Sequence, residues 1–423
     1  TRICCCLPNK RIGEANMIPN ESIKATNISK IPIDELNSRR KKCIEKMQED
    51  GLDCMVFFSP SSVYYLTGWE FFVTERPTAM ILWQDGRTCM FIPYLELEHV
   101  QQLAQGIDEV TWYPDYPGKR HPMLFLSDIL SSRGRIRIGS DSPGSPGFQG
   151  YEGPTIDELL PEYELVLMPK FIMELRKIKT PFEISMIKES AKWANLAMTL
   201  LQRYTRPGLR ELDVVNRACQ EATEAMLATL GQDYIPGGVF WVGAHGNFRG
   251  QIGVDSSLPH SLIKNKVFKK GDTLGASGTT YPILGYISEM ERTLFLGEPD
   301  EKQKKYFDMA VELQEFAVSS VKPGRTCGDV DSDVRNYYKK LGISDYWRHH
   351  VGHSLGMDRH EPPFLDEAVA EEIRAGMVFS IEPGIYVPGY GGFRHSDTIH
   401  VTKDGVELLT YYPRDLESLT IEC

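Results

Sequence analysis

No stretch of this sequence approaches the roughly 18 consecutive apolar residues that a membrane-spanning helix needs, and no Lys/Arg-rich run is present. With 58 Asp and Glu against 47 Lys and Arg, the formal charge is −11, so neither a membrane nor nucleic acid is expected as a partner. The opening TRICCCLPNKRIGEANMIPN lacks the apolar core of a secretory signal. The 9 cysteines form no CxxC and no Cys/His zinc spacing. A disulfide framework would be foreign to a chain this long, so reduced thiols and a cytoplasmic address are expected. Cys4, Cys5 and Cys6 are adjacent in a polar stretch and read as a tail. What remains is ordinary globular composition: 423 residues, 41% hydrophobic and 25% charged, too long for one core and suited to two domains.

Residues 1–30 show no sustained period and read as an N-terminal arm. A helical pattern then runs from Ile33 to a stop at Gly51. Strand-like runs follow at 54–58, 79–83 and 89–93, the last two flanking the turn signal Gln84-Asp85-Gly86-Arg87. Helical segments near 95–105 and 122–131 and a strand at 135–139 complete an α/β domain over 31–170. From Phe171 the texture changes to one long amphipathic helical pattern that ends at Pro207-Gly208. Arg206-Pro207-Gly208 with Leu212-Asp213-Val214 is echoed by Lys322-Pro323-Gly324 with Gly328-Asp329-Val330. In each copy a helix, a Pro-Gly break and an Asp-capped second helix are expected. Residues 171–423 therefore read as an α+β domain with an internal pseudo-two-fold duplication and a cleft on the dyad.

Histidine, glutamate and arginine concentrate in four segments of this half: Ser257–His260, Gly285–Thr293, His349–Glu361 and Phe379–Asp397. Imidazoles oriented by carboxylates make a candidate acid–base site. Glu382 follows an apolar run, where an unpaired carboxylate would be costly, so it should face a ligand, a metal or an Arg. Alternation along a strand puts Glu289 and Glu291 on one face and Arg292 on the other. Two carboxylates so close need a cation between them.

These segments resemble the pita-bread superfamily, which includes aminopeptidase P, prolidase and creatinase. Its metallopeptidases bind two metals through two Asp, one His and two Glu. His353 in Gly-His-Ser-Leu-Gly matches the His, and Glu382 in Ile-Glu-Pro-Gly the first Glu. The first Asp would fall at Ser277 or Gly278, the second at Glu289 and the last Glu at Ser396. Two metals bring four positive charges together and need bridging carboxylates that this chain lacks, so no metal is expected; a single divalent ion on His353, Glu382 and Glu289 is the alternative. Creatinase is the metal-independent branch, and Glu291-Arg292-Thr293-Leu294-Phe295 resembles its Glu-Arg-Thr-Leu-Phe. The resemblance implies His260 as acid and base, Glu291 and Glu382 as grips on a substrate cation, and Arg76 as a carboxylate holder reaching over from the partner of a homodimer with shared sites. Phe364 stands where creatinase has a further Arg. His360 resembles the family's proton-shuttle histidine; His353, Glu289, His349 and Arg394 complete the candidate site. Taken together, the expectation is a creatinase-like hydrolase of a C–N bond in a small substrate with a cationic group and a carboxylate. The alternatives are an Xaa-Pro metallopeptidase with at most one metal, a lyase on the same fold, and a non-enzymatic binding protein.

Overall fold

The computed structural model describes residues 28–145, 150–235, 243–280 and 283–423. The Cys4–Cys6 tail and nearly all of the 1–30 arm lie outside the described residues. Helix α1 (Ile33–Asp50) ends where Gly51 takes φ 66° and donates its N–H to Met47, the left-handed stop that glycine adopts without strain. Strands β1 (Cys54–Phe57), β2 (Ala79–Trp83) and β3 (Thr88–Pro93) follow, with α2 (Pro60–Thr67) after β1. The turn after Trp83 closes β2 on β3 in antiparallel register, Leu82 opposite Thr88. Then come α3 (Leu97–Leu103), β4 (Glu109–Tyr113), α4 (Pro122–Ser131), β5 (Arg137–Ser140), α5 (Ile156–Leu159) and β6 (Glu164–Leu167). They build one mixed six-stranded sheet in the order β4-β3-β2-β1-β5-β6. β4 and β6 lie at its two edges and are half exposed, which is why their sequences carry no clear apolar run.

The long helical pattern of the second half is two helices, α6 (Phe171–Lys177) and α7 (Pro181–Tyr204). Thr180 and Glu183 form a reciprocal capping box with Pro181 at the first helical position, so the chain restarts there rather than continuing. The echo is structural. Helices α7 and α8 (Glu211–Leu230), and later α9 (Glu301–Ser320) and α10 (Cys327–Leu341), are each joined by the Pro-Gly break. Gly208 and Gly324 take φ 88° and 85°, and each donates its N–H to a carbonyl far along the chain, Phe268 and Ile373, at 2.9 Å in both cases. Only the second copy has the expected cap: Thr326 and Asp329 cap α10 reciprocally, whereas Arg210 precedes α8 without a side-chain cap and Asp213 caps nothing.

The strands between and after the helices are β7 (Ala244–Asn247), β8 (Thr273–Thr280), β9 (Glu289–Leu296), β10 (Gly352–Ser354), β11 (Glu361–Leu365) and β12 (Val378–Ile381). They are followed by the hairpin β13 (Gly384–Val387) with β14 (Gly391–Arg394), then β15 (Ser396–Val401), β16 (Val406–Leu408) and β17 (Thr420–Ile421). A nine-stranded sheet runs β11-β10-β12-β15-β9-β8-β7, with β16 on β15 and β17 on β9. Helix α7 lies directly against it. A Cβ added at Gly246 or Gly278 would stand 2.6 Å from Leu201 Cδ1 or 2.5 Å from Met198 Cγ, so glycine is what lets helix and sheet close. The two halves meet at Arg39 of α1, which is 1% exposed. It donates to the Tyr65 carbonyl at 2.9 Å and to Tyr286 Oη at 2.8 Å. It also lies 3.5 Å from Glu183, to which Tyr286 donates at 2.7 Å. Removing one member of such a buried ion pair strands the other, so Arg39→Met should cost about 3–5 kcal/mol in urea unfolding. A loss below 1 kcal/mol would show that this joint is not a structural tie.

Candidate active site

Strand β9 sets the site by its alternation. Glu291 stands opposite Ser277 of β8 and Glu289 opposite Thr279, so these four share one face. Arg292 turns to the other face, where it pairs with Asp397 at 2.9 Å and donates to the carbonyls of Ser396, Tyr412 and Pro413. It is a buried structural cation. Gly278 also turns away, toward α7. Of the two positions predicted for the missing Asp, Ser277 is therefore the one on the cleft face. On β15, Ser396 lies opposite Glu291, and its hydroxyl is 2.9 Å from that of Ser380 on β12. Two hydroxyls occupy ground where a carboxylate would add charge.

His353 of β10 is fully buried, with Nδ1 3.0 Å from the Ser354 carbonyl. That bond orients the ring and aims Nε2 at Glu289 Oε2 and Glu382 Oε1, 3.4 Å from each. Burial alone would push this imidazole down, but the Glu289 and Glu382 carboxylates beside it carry it up to about 10. Burial works against both carboxylates too, yet the adjacent His353 charge holds Glu289 and Glu382 below the ordinary range. His353 is thus an imidazolium at neutral pH. Its ring stacks on His360, centroids 3.9 Å apart and planes 14° from parallel. Burial and the adjacent His353 charge lower the exposed His360, which stays neutral.

Glu291 meets two guanidinium groups of its own chain. Arg394, at the end of β14, grips it through two nitrogens, and Arg249 reaches it at 2.6 Å. Burial pushes the Glu291 carboxyl up against the pull of Arg394 and Arg249; with both cations in contact it is ionised. Tyr386 Oη joins this group to His349, accepting from Arg394 at 3.0 Å and lying 2.9 Å from His349 Nε2. Burial lowers His349 to about 4, so it is neutral. The cavity bordered by Glu291, Arg394, Tyr386 and Gln251 measures ≈ 10 Å³, room for about one water.

The fold therefore gathers Glu289, Glu291, His353, Glu382, Arg394 and His349, with His360 against them. It does not gather His260 or Arg76. His260 is exposed, on a loop held by Gln251 Nε2 donating to the carbonyls of Leu258 and Pro259. Arg76 pairs within the first domain with Asp115 at 2.8 Å and with Glu75. Nor is Glu291 free to grip a substrate cation: the cation that the paired glutamates require is the chain's own Arg394. Arg249 and Tyr386 were not foreseen. Arg249 sits at φ 49° in a Gly-flanked turn and no motif marks it; Tyr386 follows Ile-Glu-Pro-Gly closely enough that the motif could have pointed to it.

The model of metallopeptidase family M24 matches residues 185–403, and that of the creatinase/prolidase N-terminal domain residues 39–178. The chain belongs to family M24, with the pita-bread fold. An uncharacterised peptidase of Staphylococcus aureus is 29% identical over 392 residues, 92% of this chain and 100% of that protein. The prolidase of Pyrococcus horikoshii superposes with a TM-score of 0.71 at 27% identity, covering 90% of this chain and 99% of that one. An Xaa-Pro dipeptidase from Bacillus anthracis gives 0.73 at 25%, covering 91% and 99%. No described helix of this chain is long and apolar enough to cross a membrane.

A two-metal centre does not fit these residues. Ser277, Thr279 and Ser396 offer no carboxylate, and Arg394 and Arg249 already neutralise Glu291. For one ion, Glu289, His353 and Glu382 have the right donor chemistry, and 3.4 Å is a spacing that two ligands of a common ion can have. As arranged, though, no three His, Cys, Asp or Glu side chains among the described residues form a metal-holding group. His353→Gln should strand the two glutamates and cost about 3–5 kcal/mol. Because folding raises the His353 pKa, its contribution should be complete below about 6.5 and vanish as pH rises through about 10. Urea unfolding of both proteins at pH 6, 8 and 10.5 checks this; a cost that does not change with pH would show that His353 is neutral.

Proposed function

We propose that this M24 member hydrolyses a C–N bond in a dipeptide-sized, amino-acid-derived substrate, with positive charge supplied by its own Arg394, Arg249 and the His353 imidazolium. The observation that carries this reading is the pairing of three buried glutamates with those three cations, which leaves His353 Nε2 and Glu289 Oε2 without hydrogen-bond partners in the described structure. An unpartnered buried donor beside an unpartnered acceptor is costly unless a ligand meets both. In this mechanism His353 Nε2–H donates to the oxygen that gains charge as water adds to the carbonyl. Neutral His360, reaching solvent and stacked on His353, takes the proton of the attacking water and returns it to the leaving nitrogen. Glu289 and Glu382 hold His353 charged and oriented.

The prolidase and Xaa-Pro dipeptidase likenesses make Xaa-Pro dipeptides the first substrates to assay. The creatinase-like alternative, a substrate with a cationic group and a carboxylate, keeps support from Glu382 and Glu289 alone, since Glu291 is occupied. Assays of both substrate classes with chelator, and with added divalent ions, separate the readings. Turnover that resists the chelator and falls about 10²–10⁴-fold in His360→Ala is expected. Its acid limb should lie below the usual imidazole range, because the His360 pKa is depressed. Turnover that appears only with one divalent ion per chain would replace this mechanism with a metal-dependent one.

The shared-site homodimer belongs to the same proposal: Arg76 would serve a site only across a subunit boundary. Arg76→Ala and His360→Ala, each inactive alone, should regain activity when their subunits exchange, because one site of the heterodimer is then wild type. Demonstrated exchange without recovery would remove Arg76 from the site.

A further inference from the structure

We propose that Arg359 is a specificity-determining residue that holds the α-carboxylate of the substrate at the mouth of the cleft. Arg359 sits in the turn 356–361 between β10 and β11, next to His360, whose ring stacks on His353. The turn is built around a buried carboxylate. Glu361 Oε1 accepts the backbone N–H of Met357 at 2.8 Å and of Asp358 at 3.0 Å, and Lys179 reaches Oε2 at 3.2 Å. Arg176 bridges Glu361 to Asp358, the latter at 2.6 Å. The Gly356 carbonyl accepts from Ile287, close before Glu289 on β9. Every other charge of this turn is thus committed to holding its shape, while Arg359 is exposed and has no ion pair or hydrogen bond among the described residues.

Charge and position agree. Inside the cleft the three glutamates are offset by Arg394, Arg249 and His353, so Arg359 is surplus positive charge at the entrance. It lies near enough to act on groups of three separate elements: Glu289 on β9, His245 on β7 and His360 beside it. A planar guanidinium there can take a carboxylate in two parallel hydrogen bonds. A dipeptide so anchored presents its amide toward His360 and His353. Phe364, where creatinase carries an Arg, packs its ring 5.5 Å from that of His350 and offers no charge. The anchor in this chain then comes from the turn and not from β11.

The assignment rests on the proposed hydrolysis for its substrate class, but its test reads binding. Glycyl-proline and glycyl-prolinamide differ in the terminal carboxylate. Calorimetric titration of the full-length protein should show the acid binding about tenfold tighter than the amide. Arg359→Gln should bring the two within about twofold, and Arg359→Lys should keep part of the difference. A melting temperature unchanged in Arg359→Gln rules out unfolding as the cause. If these preferences appear without turnover, the hydrolase reading fails and the anchor stands. Equal affinity of the wild type for both compounds, no binding of glycyl-proline, or a preference that survives Arg359→Gln overturns it.

Discussion

Three carboxylates buried on one sheet face cannot remain ionised without positive charge beside them, and the site is organised around that requirement. A Born-type penalty of several kcal/mol per buried ion has to be offset locally. This protein does so with side chains that lie far apart in sequence: Arg249 from the turn after β7, Arg394 from β14 and His353 from β10. The cations also orient one another's partners. Arg394 donates to Tyr386, which holds His349, and Glu382 lies 4.0 Å from Arg394 while touching His353. Losing one member therefore disturbs several.

Much of the fold was legible because local chemistry and tertiary context agree. Gly51, the turn after Trp83 and the repeated Pro-Gly breaks each name a backbone geometry that few other residues supply. The edge strands β4 and β6 were missed because half-exposed strands lose their apolar signature. The break between α6 and α7 was missed because Ile178-Lys179-Thr180 keeps the helical apolar period while Thr180 and Pro181 restart the helix.

The site was legible where a motif fixes both residue and register. Glu289, Glu291, His353 and Glu382 lie together as their strand spacing requires, and the need for a cation between the glutamates followed from electrostatics. The source of that cation did not. The sequence offers many arginines and no local signal says that Arg249 or Arg394 will fold inward onto Glu291, because that depends on a turn at positive φ and on a hairpin end meeting a distant strand. His260 and Arg76 were named through resemblance alone, and one chain does not carry them to the cluster.

The pairing of Ser277 and Ser396 with Glu291 constrains which carboxylates the site can accept. A carboxylate introduced at Ser396 would stand directly opposite Glu291, adding a buried negative charge with no free cation to meet it. Replacing Arg394 first would leave Glu291 half neutralised, and an aspartate at Ser277, opposite Glu291 on the cleft face, would add a further uncompensated charge. Each single substitution toward a two-metal site thus passes through a less stable protein.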